Sequence, residues 1–247
     1  MGPHAGLLLA DRVLAATRAT TDQEHLSFVV ASYSDRIPDR TTWLEDPRAP
    51  DPAPAIIRVG VSLAAADVRF AGIACNTAHV PAIHDRVLAG LAAQAPGLEI
   101  LHLIRETAHF VHEAAPGARR IGILATTGTY RAGLYSAALS AEGFVPLVPH
   151  EDTQRDVVHR AIFDQQFGLK AQGNPVTDEV VMLLELAIAE LRDQGADAVV
   201  MGCTELSLVY VAGRLPGLKI VDSTTALARA LVRRAAPDRL LPVQIPA

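Results

Sequence analysis

The chain is poor in cysteine, in aromatic residues and in long apolar runs. It has two cysteines in 247 residues, which excludes a disulfide scaffold and fits a reducing cytoplasm. Aromatic residues are only 4% of the total, so aliphatic side chains have to fill the core, as they do in buried parallel strands covered by helices. The early apolar run at 6–10 is too short for a signal peptide or a membrane span.

Basic clusters are also missing. No group of Lys and Arg is interleaved with aromatic residues, and the formal net charge is -5. Neither nucleic acid nor a membrane is therefore expected as a partner. Hydrophobic residues make up 50% of the chain, which is enough to bury a sizeable core.

Strand and helix patterns alternate along the whole chain. Strands are predicted at 26–34, 68–74, 98–103, 120–125, 144–149, 197–202 and 218–223, and helical spacing fills most of the intervals. The Pro-rich stretch 37–54 is predicted to be a loop. This alternation predicts an α/β fold with parallel strands and helices on both faces of the sheet.

A repeat lies within this order. "FAGIACNT" (70–77) and "AVVMGCTE" (198–205) are each an apolar strand that runs into a cysteine and then polar residues. The interval from Gly2 to Cys75 is close to the interval from Thr127 to Cys203. The chain therefore reads as two similar α/β halves, each with a cysteine at the carboxyl end of a strand, where ligands bind in open α/β sheets.

Two matched cysteines have a specific chemical use. A helix N-terminus favours the thiolate, so a cysteine at a strand-to-helix turn is a candidate base. Two such sulfurs on opposite sides of a small substrate suit stereoinversion, in which one removes a proton and the other returns one. The alternative is that each cysteine is simply a small buried hydrophobe, and a disulfide between them is disfavoured by a reducing compartment.

Several motifs carry a resemblance to a known family. "CNTAH" (75–79) with "GCTE" (202–205) resembles the aspartate/glutamate racemases, which are cofactor-independent enzymes with two catalytic cysteines. Further matching segments follow in the same order: "MGPHAG", "TDQEH", "IPDRT", "EDPR", "ETAHF" and "LATTGT". The resemblance implies two pseudo-symmetric domains, each a parallel sheet flanked by helices, with the active site in the cleft between them. The expected division is 1–101 plus 220–247, and 102–219.

The resemblance also implies roles for individual residues. Cys75 and Cys203 become the two acid/base thiols, and Arg40 in "PDRT" grips the side-chain carboxylate of the substrate. Lys170 assists from the second half. The groups that hold the α-carboxylate or the α-amino group are Asn76, Thr77, Thr126, Thr127 and Thr204.

The expected reaction is the interconversion of L- and D-aspartate, or of a related acidic amino acid, with no cofactor and no metal. Glu205 follows the second Cys-Thr pair where glutamate racemases carry His, which favours the aspartate branch. The open alternatives are a hydantoin racemase, a maleate isomerase, an arylmalonate decarboxylase, a broad-specificity amino-acid racemase, or a silent amino-acid-binding protein. A homodimer is the assembly that the resemblance implies. His109 and His112 with nearby glutamates lack a clear third metal ligand.

The repeat makes one further prediction. The turn at 126–129 is preceded by the predicted strand 120–125, whereas the similar turn in "MGPHAG" has no strand ahead of it. The resemblance supplies such a strand as well. We therefore expect a chain extended by an apolar strand ahead of Met1 to be more stable and more active.

Overall fold

The computed structural model describes residues 1–46, 48–172, 175–211, 213–214 and 218–243. It divides into two compact units: the first is Met1–Leu103 with Thr224–Ala247, and the second is Ile104–Ser223. The predicted domains, 1–101 with 220–247 and 102–219, stay a prediction, since compactness alone does not define a folding domain. Among the described residues, no helix combines the length and the apolar character needed to cross a membrane.

Helices and short strands succeed each other along the chain. The strands are β1 (Phe70–Gly72), β2 (Glu99–Leu101), β3 (Arg120–Ala125), β4 (Val145–Leu147), β5 (Ala198–Gly202) and β6 (Lys219–Asp222). The helices are α1 (Pro3–Ala16), α2 (Arg40–Glu45), α3 (Ala53–Ala65), α4 (Pro81–Gln94), α5 (Leu103–Ala114), α6 (Thr127–Arg131), α7 (Leu134–Ala141), α8 (Glu151–Thr153), α9 (His159–Phe163), α10 (Asp178–Asp193), α11 (Leu206–Val211) and α12 (Ser223–Ala235). A π-helical turn, Gln154–Val158, joins α8 to α9.

The first unit contains a two-stranded parallel sheet. β1 pairs with β2, and Ala71 lies opposite Ile100. The buried side chains Ile56 of α3 and Ile83 and Val87 of α4 pack in one cluster with Ala71. Pro81 occupies the first turn of α4, where its missing N–H has no helical partner to lose.

The second unit contains a four-stranded sheet in the order β4-β3-β5-β6, and all three pairings are parallel. Every residue of β5 is buried, as expected for a central parallel strand covered on both faces. Leu184 and Leu191 of α10 pack against Val199 and Met201 of β5 in the core of this unit. The predicted α/β class with parallel sheets flanked by helices is confirmed.

Local sequence signals explain where several helices begin and end. The side chain of Thr126 accepts a hydrogen bond from the backbone N–H of Thr129 at the start of α6, and Thr177 caps α10 in the same way. Gly195 follows α10 with φ +88°, a conformation that costs a residue with a Cβ about 1–2 kcal/mol.

Two sequence predictions are wrong. Residues 26–34 form no strand: residues 26–31 have no regular secondary structure, and none of the strands in the described part of the chain pairs with them. The predicted loop 37–54 contains helix α2, whose start is fixed by Asp39, since its carboxylate accepts from the backbone N–H of Thr42 at 3.0 Å. The Pro residues on either side of α2 concealed this short helix in the sequence.

Candidate active site

Cys75 lies in the first unit, three residues beyond the end of β1. It is buried and extended, and it directly precedes a 3₁₀ turn, Asn76–His79. The side chains of Asn76 and Thr77 in that turn are buried as well. The position after the carboxyl end of a parallel strand is the one that the sequence predicted for Cys75.

His79 holds the backbone of this turn. Its Nδ1 lies 3.0 Å from the carbonyl oxygen of Cys75, and because a carbonyl only accepts, Nδ1 carries the proton. The ring stacks on His84 with the centroids 5.0 Å apart and lies 4.9 Å from the ring of His102. Burial, with smaller effects of His102 and His84, lowers the pKa of His79 to about 3, so the ring is neutral at physiological pH.

Arg40 also belongs to the first unit. It is the first residue of α2, which packs against the 3₁₀ turn Asn76–His79. Its side chain is buried, and its Nη1 donates to the carbonyl oxygen of Pro38 at 3.0 Å. Four candidate residues therefore lie in one region of the first unit: Arg40, Cys75, Asn76 and Thr77. The buried guanidinium of Arg40 is well suited to bind a carboxylate, because it can donate two parallel hydrogen bonds to it.

Cys203 lies in the second unit, directly after the last residue of β5. It is buried, and its thiol donates to Oε2 of Glu205 at 3.0 Å. The hydroxyl of Thr204 donates to the same carboxylate oxygen at 3.2 Å. Glu205 therefore accepts a hydrogen bond from each side chain of the Cys-Thr pair.

The charge state of Cys203 differs from the sequence expectation. Burial first, and then the negative charge of Glu205, raise the pKa of Cys203 well above its ordinary value, while the charge of Lys170 acts in the opposite direction. The expected preference of a helix N-terminus for the thiolate is overridden here, because desolvation and a neighbouring carboxylate both favour the neutral thiol. The surroundings of Cys203 therefore favour the thiol over the thiolate.

Lys170 is close enough to Cys203 for its charge to act on the sulfur. Its ammonium lies 4.2 Å from the centroid of the Phe163 ring, and its backbone N–H donates to the carbonyl of Ile162 at 3.0 Å. These contacts anchor Lys170 beside α9. The structure therefore places this residue, one of two candidate cations from the sequence, in the region of Cys203.

Thr126 and Thr127 share a sheet edge with Cys203. Ala125 of β3 is paired with Gly202 of β5, so the next residue of each strand, Thr126 and Cys203, emerge side by side. Neighbouring strands lie about 4.8 Å apart. The hydroxyl of Thr127 is hydrogen-bonded to Nδ1 of His159 at 2.8 Å.

Three residues that contact the candidate site residues are not predicted as functional from the sequence: His79, Glu205 and His159. His79 had a usable signal, since it is part of "CNTAH". Glu205 was noted only as a family marker, and its contact with the thiol depends on the turn after β5. His159 had no local signal, because it meets Thr127 only through the packing of α9. Among the described residues, no group of three or more His, Cys, Asp or Glu is arranged to hold a metal ion.

Comparison with known proteins relates the sequence to a family of racemases. The family model described as Asp/Glu/Hydantoin racemase matches residues 1–231. A glutamate racemase of Pseudomonas aeruginosa is 27% identical over 192 residues, which are 74% of this chain and 64% of that protein. The chain therefore spans less than two thirds of the length of that curated relative.

Solved structures show the same fold. An aspartate racemase of Picrophilus torridus superposes with a TM-score of 0.73 at 24% identity, over 95% of this chain and 90% of that one. An aspartate racemase homologue of Pyrococcus horikoshii superposes with a TM-score of 0.65 at 19% identity, over 95% of each chain. With the family match covering almost the whole sequence, the chain belongs to the Asp/Glu/Hydantoin racemase family.

Proposed function

We propose that the protein interconverts the enantiomers of aspartate, or of a closely related acidic amino acid, with Cys75 and Cys203 as acid and base and without a cofactor. The observation that carries the proposal is the matched placement of the two cysteines. Each is buried beyond the carboxyl end of a parallel strand in its own unit, and each is followed by amide or hydroxyl side chains.

The reaction balances with the two sulfurs alone. One cysteine, as thiolate, takes the Cα proton: an S–H bond forms, and the C–H electron pair moves into the α-carboxylate. The thiol of the other cysteine then gives its proton to the opposite face of Cα and becomes the thiolate. The two sulfurs have exchanged states at the end of the turnover, so the reverse reaction uses the same groups in exchanged roles.

Two sets of polar groups support this chemistry in the proposal. Asn76, Thr77, Thr126, Thr127 and Thr204 supply hydrogen-bond donors for the α-carboxylate, which carries added negative charge once the proton has left. Arg40 binds the side-chain carboxylate of the substrate, and Lys170 adds positive charge near Cys203. Glu205, in place of the His found in glutamate racemases, favours aspartate as the substrate.

The decisive experiment follows exchange and inversion together. Each enantiomer of aspartate is incubated with the protein in D2O, and Cα deuteration and optical rotation are recorded. We expect racemisation to fall by about 10²–10⁴ in both Cys75→Ala and Cys203→Ala, since each loses one acid/base group. Each variant should still exchange the Cα proton of one enantiomer only. Racemisation by either variant at the parent rate would refute the two-thiol mechanism.

A substrate panel separates the alternatives. Inversion of many neutral amino acids would identify a broad-specificity racemase, and turnover of a hydantoin, of maleate or of an arylmalonate would identify the corresponding relative. Calorimetric binding of aspartate without isotope exchange would identify a silent binding protein. Each of these outcomes contradicts the proposed substrate or the proposed reaction.

Arg40→Lys tests the carboxylate contact. Lysine keeps the charge but loses the paired hydrogen bonds, so kcat/KM for aspartate should fall about 10–100-fold, in line with the 1.5–3 kcal/mol of a charge-assisted hydrogen bond. The matched control is Arg48→Lys, because Arg48 has a 90% exposed side chain that pairs with Asp46 on the surface. Equal losses in the two variants would remove Arg40 from the site.

A further inference from the structure

His159 follows directly on the π-helical turn of the second unit. The segment 151–163 is helical throughout, but its middle, Gln154–Val158, is a π-turn, and the backbone N–H of His159 donates to the carbonyl oxygen of Gln154. A π-turn places residues five apart on the same face, whereas an α-helix, with 3.6 residues per turn, points them in different directions. Gln154 and His159 therefore face the same neighbouring element.

That element is the carboxyl end of β3 and the turn after it. Nε2 of Gln154 donates to the carbonyl oxygen of Ala125, the last residue of β3, at 3.1 Å. Nδ1 of His159 lies 2.8 Å from the hydroxyl oxygen of Thr127, two residues further along the chain. Because Ala125 pairs with Gly202, this turn leaves the sheet beside Cys203. The π-turn thus holds one edge of the candidate site at two points.

The imidazole of His159 is itself fixed in orientation. It stacks on the ring of Phe163, four residues further along α9, with the ring centroids 4.7 Å apart and the planes at 17°. The ammonium of Lys170 lies 4.2 Å from the centroid of the same Phe163 ring. Stacking occupies a face of the imidazole and leaves its edge, which carries the nitrogen atoms, for hydrogen bonds. One phenylalanine therefore orients His159 and anchors Lys170.

The hydrogen bond between His159 and Thr127 can run in either direction. A hydroxyl has one proton to donate, and Nδ1 of a neutral imidazole is a donor in one tautomer and an acceptor in the other. If Nδ1 accepted, Thr127 would spend its only proton on His159 and could not donate to an anion. If Nδ1 donates, the hydroxyl proton of Thr127 stays available for an anionic ligand.

We propose that His159 is a positioning residue for racemisation, which donates from Nδ1 to Thr127 and thereby directs the hydroxyl proton of Thr127 to the α-carboxylate of the substrate. This inference rests on the proposed function, because it takes the α-carboxylate as the anion that Thr127 binds. The carboxylate gains negative charge when the Cα proton leaves, and a donor that is already oriented stabilises this charge without reorganisation. No proton passes from His159 to the substrate.

Two replacements of His159 test the direction of the hydrogen bond. Asparagine places an amide near the position of Nδ1 and can still donate to Thr127, whereas aspartate offers only acceptor oxygens there. We expect His159→Asn to keep kcat close to the parent value and His159→Asp to lower it about 10–100-fold, as for the loss of one hydrogen bond to a charged group. KM should change less, because the contact strengthens as charge develops. Equal kcat values in the two variants would overturn the proposal.

Thr127→Val separates the hydrogen bond from the charge that aspartate adds. In this background no hydroxyl is left to direct, so most of the difference in kcat between His159→Asn and His159→Asp should disappear. An undiminished difference would come from the added charge alone and would overturn the proposal. The matched control is His150→Asp, because His150 has a 77% exposed side chain that pairs with Glu190, and its kcat should equal that of the parent.

Nitrogen NMR of the imidazole keeps the proposal testable if His159→Asp does not fold. The parent protein is labelled with ¹⁵N and saturated with L-aspartate, and the signals of His159 are assigned by their loss in His159→Asn. We expect the proton on Nδ1, and an unprotonated Nδ1 would overturn the proposal. Failure of the proposed function is distinguishable, since it would appear as absence of aspartate racemisation in the parent protein before any variant is compared.

Discussion

Replacing Gly202 by alanine tests whether the packing behind Cys203 sets the position of its thiol. Gly202 is the last residue of β5 and directly precedes Cys203. A Cβ at this position would lie 2.6 Å from Cε2 of Tyr135 and 3.0 Å from the carbonyl oxygen of Leu124. Tyr135 is fully buried, and the Leu124 oxygen is part of the backbone of β3, so neither can move away freely.

The expected cost follows from this overlap. Adding a methyl group to a well-packed core costs about 1–3 kcal/mol. For a chain of this size, each kcal/mol lowers the melting temperature by about 2–4 °C, so Gly202→Ala should melt about 2–12 °C below the parent. The strain is relieved partly by shifting the turn that holds Cys203, and a displacement of about 1 Å can reduce turnover by 10².

Thermal melting and the rate of aspartate racemisation are measured side by side. Gly97→Ala is the matched control, because a Cβ there would meet no atom within 4 Å, and its stability should stay within about 0.5 kcal/mol of the parent. A second change, Tyr135→Leu, removes the ring atom at 2.6 Å and should make the Gly202→Ala replacement less costly. Parent-like stability and activity of Gly202→Ala would refute the reasoning.

Two further predictions concern titrating groups. In a Cys75→Ala background, Glu205→Gln should speed alkylation of Cys203 by iodoacetamide at neutral pH, because it removes a charge that raises the pKa of Cys203. Lys170→Met should slow the same alkylation, because it removes a charge that lowers this pKa. The control is Lys219→Met at an exposed position, which should leave the alkylation rate unchanged. The pKa of His79 is lowered to about 3 from the ordinary 6.5, so below pH 6.5 the unfolded chain binds a proton at this residue that the folded chain does not. The free energy of unfolding should therefore fall below pH 6.5, by up to about 1.4 kcal/mol per pH unit. Melting at pH 7.5 and 5.0 should show a smaller loss in His79→Gln than in the parent, and equal losses would contradict this account.

The fold class could be predicted because helix and strand signals are local and alternate regularly. The long helix α10 has a capping Thr, a clear apolar face and a closing Gly, so its bounds were readable. The strand predicted at 26–34 shows the limit of such signals. Val, Phe and Tyr favour a pleated surface, but a strand exists only when another backbone pairs with it, and pairing is a property of the whole sheet.

The candidate site was only partly readable from the sequence. The cysteines could be located because each follows a recognisable strand, and Arg40 because it lies in a specific motif. The contact between Cys203 and Glu205 could not be predicted, since spacing of two residues does not specify whether two side chains of a turn face each other. The same holds for Thr127 and His159, which lie 32 residues apart in sequence and meet only through packing.

The contact between Cys203 and Glu205 bears on which cysteine carries the proton at the start of the proposed reaction. A two-thiol racemase must start each turnover with one thiolate and one thiol, and the hydrogen bond from Sγ of Cys203 to Glu205 is made only by the protonated form. Together with its burial, this contact favours the thiol form of Cys203. In the proposed mechanism Cys75 is then the base for one enantiomer, and the other enantiomer requires the exchanged protonation states. Lys170 opposes Glu205 and lowers the cost of the thiolate that Cys203 becomes once it has donated. The carboxylate and the ammonium therefore act in opposite directions on the two protonation states that the proposed mechanism requires of Cys203.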